Sequence, residues 1–234
     1  MNKRMYQIGL GVVVLLFGIL FLPKIAERLQ QEEVVDSSRT VAAEDVRVID
    51  LHKMQPMPAF TLVDQHGDTI TPADLKGKVT VVEFFFTTCP TICPIMKQNL
   101  KKVQEAFKDE NRVAIVSISI RPQDTVEVLA DYAQNYNITH PNWHLLTGNN
   151  EDIHRLAREG FFLYTEVNSD APGGFEHSGK FAMFDKSGIQ RSRYDDYGNP
   201  IGYYDGVEEE GTTNYGVLLF IEDMKKLLKE RVDE

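Results

Sequence analysis

The sequence predicts an α/β fold built on a parallel core sheet with helices on both faces. Two observations carry that prediction. Segments of strand and helix character alternate from about residue 57 to the end, the order that βαβ units produce. The runs Val79–Thr87 and Val113–Ser119 are continuously apolar or β-branched for most of their length, as in strands covered on both sides. Composition agrees: of 234 residues, 42% are hydrophobic and 26% charged, which is ordinary globular usage. A net charge of −10, without a basic patch, excludes nucleic acid as a partner.

At the amino terminus, Lys3 and Arg4 precede an uncharged run, Ile8–Leu22. Counted from Tyr6 it is about 17 residues, at the short end of the range for a membrane span. The following Pro23-Lys24-Ile25-Ala26-Glu27-Arg28 offers no small-residue cleavage site, so an uncleaved transmembrane anchor is expected rather than a signal peptide. Lys3 and Arg4 should hold the tip in the cytoplasm. The remainder would then lie on the periplasmic or extracytoplasmic side of a bacterial inner membrane, since no Arg- and Ser-rich transit pattern is present. Residues 1–26 therefore read as tip and anchor. Residues 27–56, polar and charged, read as a tether, with a helical stalk over Glu27–Val35 equally compatible. Residues 57–234 read as the globular domain.

Within that domain, Phe60–Val63 and Thr69–Thr71 flank Asp64-Gln65-His66-Gly67 as a hairpin. Ala73–Gly77 turns into the strand Val79–Thr87. A helical pattern, Ile95–Phe107, leads to the strand Val113–Ser119. Asp124 is expected to cap a helix through Tyr136, with Glu127 at capping-box spacing. Trp143–Leu146 reads as a third strand and Asn150–Arg158 as a third helix. Lys180–Asp185 and Ile189–Tyr194 form a second hairpin around Lys186-Ser187-Gly188. The last helix, about Tyr215–Lys229, presents Val217, Leu218, Ile221, Met224, Leu227 and Leu228 on its apolar face.

The two cysteines of the chain, Cys89 and Cys93, sit where the first buried strand ends and a helix begins. Pro94 suits the first helical position, which puts Cys93 at or just before the helix amino terminus. Unpaired N–H groups and the helix dipole stabilise negative charge there, so Cys93 is the thiol expected to have a lowered pKa. Such a pair can close a disulfide, exchange disulfides or bind a soft metal ion. A purely structural disulfide is the weaker reading, because so short a loop gains little entropy from closure.

Of the six histidines, His52, His66, His140 and His154 are expected to be exposed or satisfied locally, and His144 to be a packed or surface strand residue. His177 differs. It stands in Gly173-Gly174-Phe175-Glu176-His177-Ser178-Gly179, where glycines let the backbone approach something closely.

Thr88-Cys89-Pro90-Thr91-Ile92-Cys93-Pro94, followed by Glu176-His177-Ser178 ahead of a hairpin, resembles the Sco/SenC family. Leu75-Lys76-Gly77-Lys78 and Asp124-Thr125 add to the likeness, which covers about Met57–Glu234. The resemblance implies a thioredoxin-like fold, a central mixed β-sheet flanked by helices, behind a membrane anchor. It implies copper as the bound metal, with Cys89, Cys93 and His177 as its ligands. It also implies a role in assembling the binuclear copper centre of cytochrome c oxidase. The oxidase's copper-bearing subunit would then be the partner, with other thiol proteins or copper donors. Three features depart from the family pattern: Glu176 replaces a common aspartate, Arg121-Pro122 stands where an acidic residue is usual, and Asp195–Gly211 is longer than the usual connection.

Two thiolates and one imidazole suit three-coordinate Cu(I), and can hold Cu(II) once an oxygen or water joins; zinc would want a fourth ligand. Glu176 is expected either to orient the imidazole or to be a solvated loop carboxylate, and Met96 to be core rather than ligand. Two functions follow. One is a metallochaperone that passes copper by ligand exchange. The other is a thiol–disulfide oxidoreductase in which Cys89 and Cys93, as a redox-active pair, reduce the target's cysteines. A peroxidase with Cys89 as nucleophile ranks third. Only the first requires His177.

Overall fold

Val79–Phe85 and Val113–Ser119 are buried at every position, so both faces of the sheet they centre are covered. The protein is described here by a computed structural model, which covers residue 17, residues 51–207 and residues 216–230. The chain divides into two units, Met1–Val48 and Ile49–Glu234. Apart from Phe17, the anchor expected at Ile8–Leu22 lies outside the described residues, as does the tether up to residue 50. Among the described residues, no helix is long and apolar enough to cross a membrane.

In chain order the elements are β1 (His52–Pro56), β2 (Leu62–Val63), β3 (Thr69–Ile70), a 3₁₀ turn (Pro72–Leu75), β4 (Val79–Phe85), α1 (Cys93–Ala106), β5 (Val113–Ser119), α2 (Val126–Asn135), β6 (Trp143–Leu146), α3 (Asn150–Arg155), β7 (Thr165–Val167), β8 (Phe175–His177), β9 (Lys180–Phe184), β10 (Ile189–Ser192), β11 (Tyr204–Asp205) and α4 (Val217–Lys229). The main sheet runs β1-β10-β9-β4-β5-β6, with β11 on β9. Its β4-β5-β6 half is parallel, as the βα alternation requires. The other half is antiparallel, because the hairpin β9–β10 folds back beside β4 with Val81 opposite Met183. The sheet is therefore mixed, as the family resemblance implies, and the parallel core that the strand–helix alternation predicts is its β4-β5-β6 half.

Other expectations change in detail. β1 falls at the end of the segment read as a tether: His52 pairs with Ser192 and Lys53 with Arg191. As an edge strand it needs few apolar residues, so its composition disguises it; the buried Leu51 just before it seats it on the core. The cap of α2 is Thr125, whose hydroxyl accepts from the Val128 N–H, and Asp124 is buried one residue earlier. Helix α3 passes into a π-helical turn over Leu156–Gly160, a wider winding that ends it two residues beyond Arg158. On α4, Leu218 points outward, and the buried Phe220 replaces it against Tyr204.

One polar cluster crosses this apolar core. Glu83 on β4 and Ser117 on β5 are register partners, and the Ser117 hydroxyl donates to Glu83 Oε1 at 2.7 Å. Lys97 on α1 donates to the same oxygen at 3.2 Å. Its ammonium lies 4.6–5.3 Å from the ring centres of Phe85, Tyr132 and Trp143. Glu83 Oε2 is buried without a partner.

Candidate metal centre

Three donor atoms meet at the carboxyl end of β4. The sulfurs of Cys89 and Cys93 and a ring nitrogen of His177 all lie within 4.8 Å of one another, and all three residues are buried. β4 delivers the loop that holds Cys89. Asp124 fixes that loop from beneath, accepting from the Thr87 N–H at 2.9 Å and the Thr87 hydroxyl at 2.6 Å. Its remaining capacity is taken by Ser119 at 2.6 Å and Arg121 at 2.9 Å. Arg121 thus belongs to the support of the cysteine loop. Cys93 is the first residue of α1, one position earlier than the placement of Pro94 suggests.

The thiol that ionises is Cys89. Its pKa is pulled down to about 3, first by the hydrogen bond from the Cys93 thiol, then by His177 and the backbone N–H groups of Cys93 and Thr91, against an opposing effect of burial. The Cys93 thiol is pushed up, by its bond to Cys89 and by burial. The expectation of a Cys93 thiolate is therefore reversed. Free N–H groups at a helix start point back along the chain, toward the residue that precedes the helix, while the Cys93 side chain turns inward.

His177 arrives from β8. Its Nε2 lies 3.0 Å from Cys93 Sγ, and its Nδ1 lies 3.1 Å from the Ser178 carbonyl oxygen. A carbonyl can only accept, so Nδ1 carries a proton and donates to Ser178, which turns Nε2 toward the sulfurs, the ring orientation that a metal requires. Phe86 walls the ring, edge to face at 5.9 Å between centroids. Gly173, at φ +85°, lies so close to Phe86 that an added Cβ would stand 2.7 Å from the ring. That is the close approach the glycine pair forecasts.

Glu176 does not orient the imidazole. Along a strand its side chain leaves on the opposite face from that of His177, where it accepts from Tyr164 at 3.1 Å and Asn168 at 2.7 Å. Met96 is fully buried in the core. His52 meets the Tyr194 hydroxyl, His140 the Phe107 carbonyl, His144 the Asp64 carboxylate and His154 the Thr165 hydroxyl; none joins the site. Sequence reading did not single out the Asp124 clamp, the Ser178 carbonyl or the Phe86 wall. Only the adjacency of Thr87 to the cysteine motif hints at the first. The other two are set by tertiary contact.

The donors sit beside a cleft of ≈480 Å³, lined among others by Cys89, His177, Phe86, Tyr164 and Glu176. A fold of helices on a mixed sheet, with two sulfurs and a preset imidazole at a strand end, defines a thioredoxin-like domain carrying a soft-metal or thiol centre. The chain belongs to the SCO1/SenC family, whose model matches residues 51–210. It is 33% identical over 136 residues to the SCO2-like protein RT0576 of Rickettsia typhi, a match spanning 56% of this chain and 65% of that protein. A SCO1/SenC family lipoprotein of Bacillus anthracis superposes with a TM-score of 0.63 at 30% identity, over 76% of this chain and 98% of that one. BsSco, described as a member of the Sco family of cytochrome c oxidase assembly proteins with a disulfide switch, superposes with a TM-score of 0.61 at 28% identity, over 76% and 95% of the two chains. Copper-bound ScoI of Bradyrhizobium japonicum shares the fold, with a TM-score of 0.56 at 22% identity over 75% of this chain and all of that one.

Proposed function

We propose that this protein is a copper-binding metallochaperone that serves assembly of the binuclear copper centre of cytochrome c oxidase. The reading rests on the convergence of Cys89, Cys93 and His177, with Nδ1 of the imidazole turned to the Ser178 carbonyl and Nε2 to the sulfurs. Two thiolates and an imidazole in one buried spot form a soft donor set for which copper is the natural cargo. Membership of the SCO1/SenC family and the oxidase-assembly role stated for BsSco support the same direction. In this reading residues 1–26 anchor the domain, the segment from residue 27 up to the buried Leu51 tethers it, and the copper-bearing subunit receives the metal outside the cytoplasm.

The lowered pKa of Cys89 favours one other reading: a thiol–disulfide oxidoreductase that reduces the copper-ligand cysteines of the target. Cys89 and Cys93 are both free, so either chemistry is open to them.

The variant His177→Ala separates the two. Losing a residue that merely orients a ligand costs about 10–100-fold in metal affinity, and losing a ligand should cost at least as much. Thiol exchange needs only a reactive thiolate and an accessible partner sulfur. A copper competition titration and a model disulfide-reduction assay on the same variant are expected to show copper affinity lost and reduction nearly intact. Unchanged copper affinity with lost reduction would make the oxidoreductase the principal function.

A further inference from the structure

The segment that leads into β7, the strand paired with His177-bearing β8, carries a surface that the fold itself does not use. Residues 161–166 alternate between core and solvent, Val167 after them is exposed as well, and three of the exposed side chains are large and apolar. Phe162 is 63% exposed, Tyr164 48% and Val167 61%. Phe162 also holds φ +51°, a left-handed conformation that phenylalanine adopts only under constraint, yet its ring packs into no core. Tyr164 continues this surface into the cleft where Cys89 and His177 open.

The rim of that cleft is acidic. The Tyr164 hydroxyl faces two carboxylates, Glu166 and Glu176, and one phenol proton cannot satisfy both. The hydrogen bond to Glu166, above all, pushes the phenol pKa up, with burial and the bond to Glu176 adding to it. Asp170 joins Glu176 in the lining of the cleft. Among the described residues, no lysine or arginine pairs with Glu166, Asp170 or Glu176. Exposed aromatic residues beside unneutralised carboxylates fit a partner that is apolar at its centre and cationic around it. A second copy of this chain fits badly, since each carries a net charge of −10.

We infer that Phe162, Tyr164, Glu166 and Glu176 form the docking face for the protein that exchanges copper or thiols at this site, and that this partner presents its sulfur ligands on a segment flanked by lysine or arginine. The inference rests on the reading of Cys89 and His177 as the handover point. It adds the charge and shape of what docks there.

Two fluorescein-labelled peptides test it. They share a central Phe-Ser pair, with serine in place of cysteine to prevent exchange, and differ only in their flanks, lysine in one and glutamate in the other. Anisotropy titrations use the reduced full-length chain. The lysine peptide should bind at least about tenfold tighter than the glutamate peptide at low salt, and the difference should shrink as salt is added. The double variant Phe162→Ser/Glu166→Lys should lose that preference while keeping wild-type copper stoichiometry and circular dichroism. Equal binding of the two peptides, no binding of either, or an unchanged preference in the double variant would each overturn the docking face. A chain that prefers the lysine peptide but takes up no copper would leave the docking face standing and sink the metallochaperone reading instead.

Discussion

Lys97→Met should be among the most destabilising substitutions in the domain, and Glu83→Gln should largely rescue it. Lys97 lies one turn beyond Cys93 on α1, fully buried, and is the ion-pair partner of Glu83. The Glu83 carboxylate already has one buried oxygen without a partner. Removing the ammonium leaves that carboxylate with a single hydroxyl donor, Ser117, and puts nothing charged among the three rings that surrounded the lysine. Breaking a buried pair from one side costs about 3–5 kcal/mol, because an uncompensated charge remains. For a domain of this size that corresponds to a melting temperature lower by roughly 6–20 °C. Replacing both partners removes both charges, keeps an acceptor for Ser117 in the glutamine amide and fills the lysine volume with methionine. The double variant should therefore lie within about 1–2 kcal/mol of wild type. Urea denaturation of the four proteins closes the cycle, and the two single costs together should exceed that of the double variant by at least about 3 kcal/mol. Single variants that each cost under about 1 kcal/mol and add without coupling would refute the argument that this charge pair is dry and mutually dependent.

Three further outcomes follow from the geometry. Iodoacetamide should alkylate the reduced, metal-free protein at Cys89 well below the pH at which an ordinary thiol reacts, because that sulfur stays ionised down to about pH 3, while Cys93 should remain protected; mass mapping of the modified residue against pH checks this, and preferential labelling of Cys93 would contradict it. Gly173→Ala combines left-handed strain with a Cβ 2.7 Å from Phe86 and should cost roughly 1–3 kcal/mol, more than Gly174→Ala at the same φ with open space around it; equal costs in denaturant melts would remove the steric contribution. Burial alone would raise the Asp223 pKa, but its bonds to Arg193, Lys226 and Tyr204 hold it below the usual carboxylate value, so its stabilisation is present above the unfolded-state pKa near 4 and is lost as pH falls through the lower folded one. The stability of Asp223→Asn should accordingly lie below wild type at pH 7 and fall less steeply beneath about pH 4.

Much of this domain is legible in the sequence because its strongest signals are local. β4 and β5 are so continuously apolar or β-branched that burial on both faces needs no tertiary knowledge, and the hairpins around Gly67 and Gly188 announce themselves by turn residues at positive φ. The same holds for the cysteine pair, whose place between a strand and a helix follows from the residues on either side. The convergence of His177 with those cysteines is a contact across 84 positions. The motif resemblance brings it forward; periodicity does not. Edge strand β1 escapes composition because an edge needs little apolar content.

What the sequence by itself determined, then, is the kind of chemistry: two thiols at a helix start and a histidine in a glycine-rich approach. What only the tertiary structure decided is how the charge is shared and held. The pKa of Cys89 is lowered and that of Cys93 raised, because the Cys93 thiol above all, then His177 and backbone N–H groups, donate to the Cys89 sulfur, and donor direction is invisible in residue order. Ser178 rather than Glu176 orients the imidazole, because strand alternation sends adjacent side chains to opposite faces. Asp124 grips the cysteine loop instead of capping a helix, because a buried carboxylate satisfies the donors that three-dimensional packing brings to it, whatever cap its sequence position suggests.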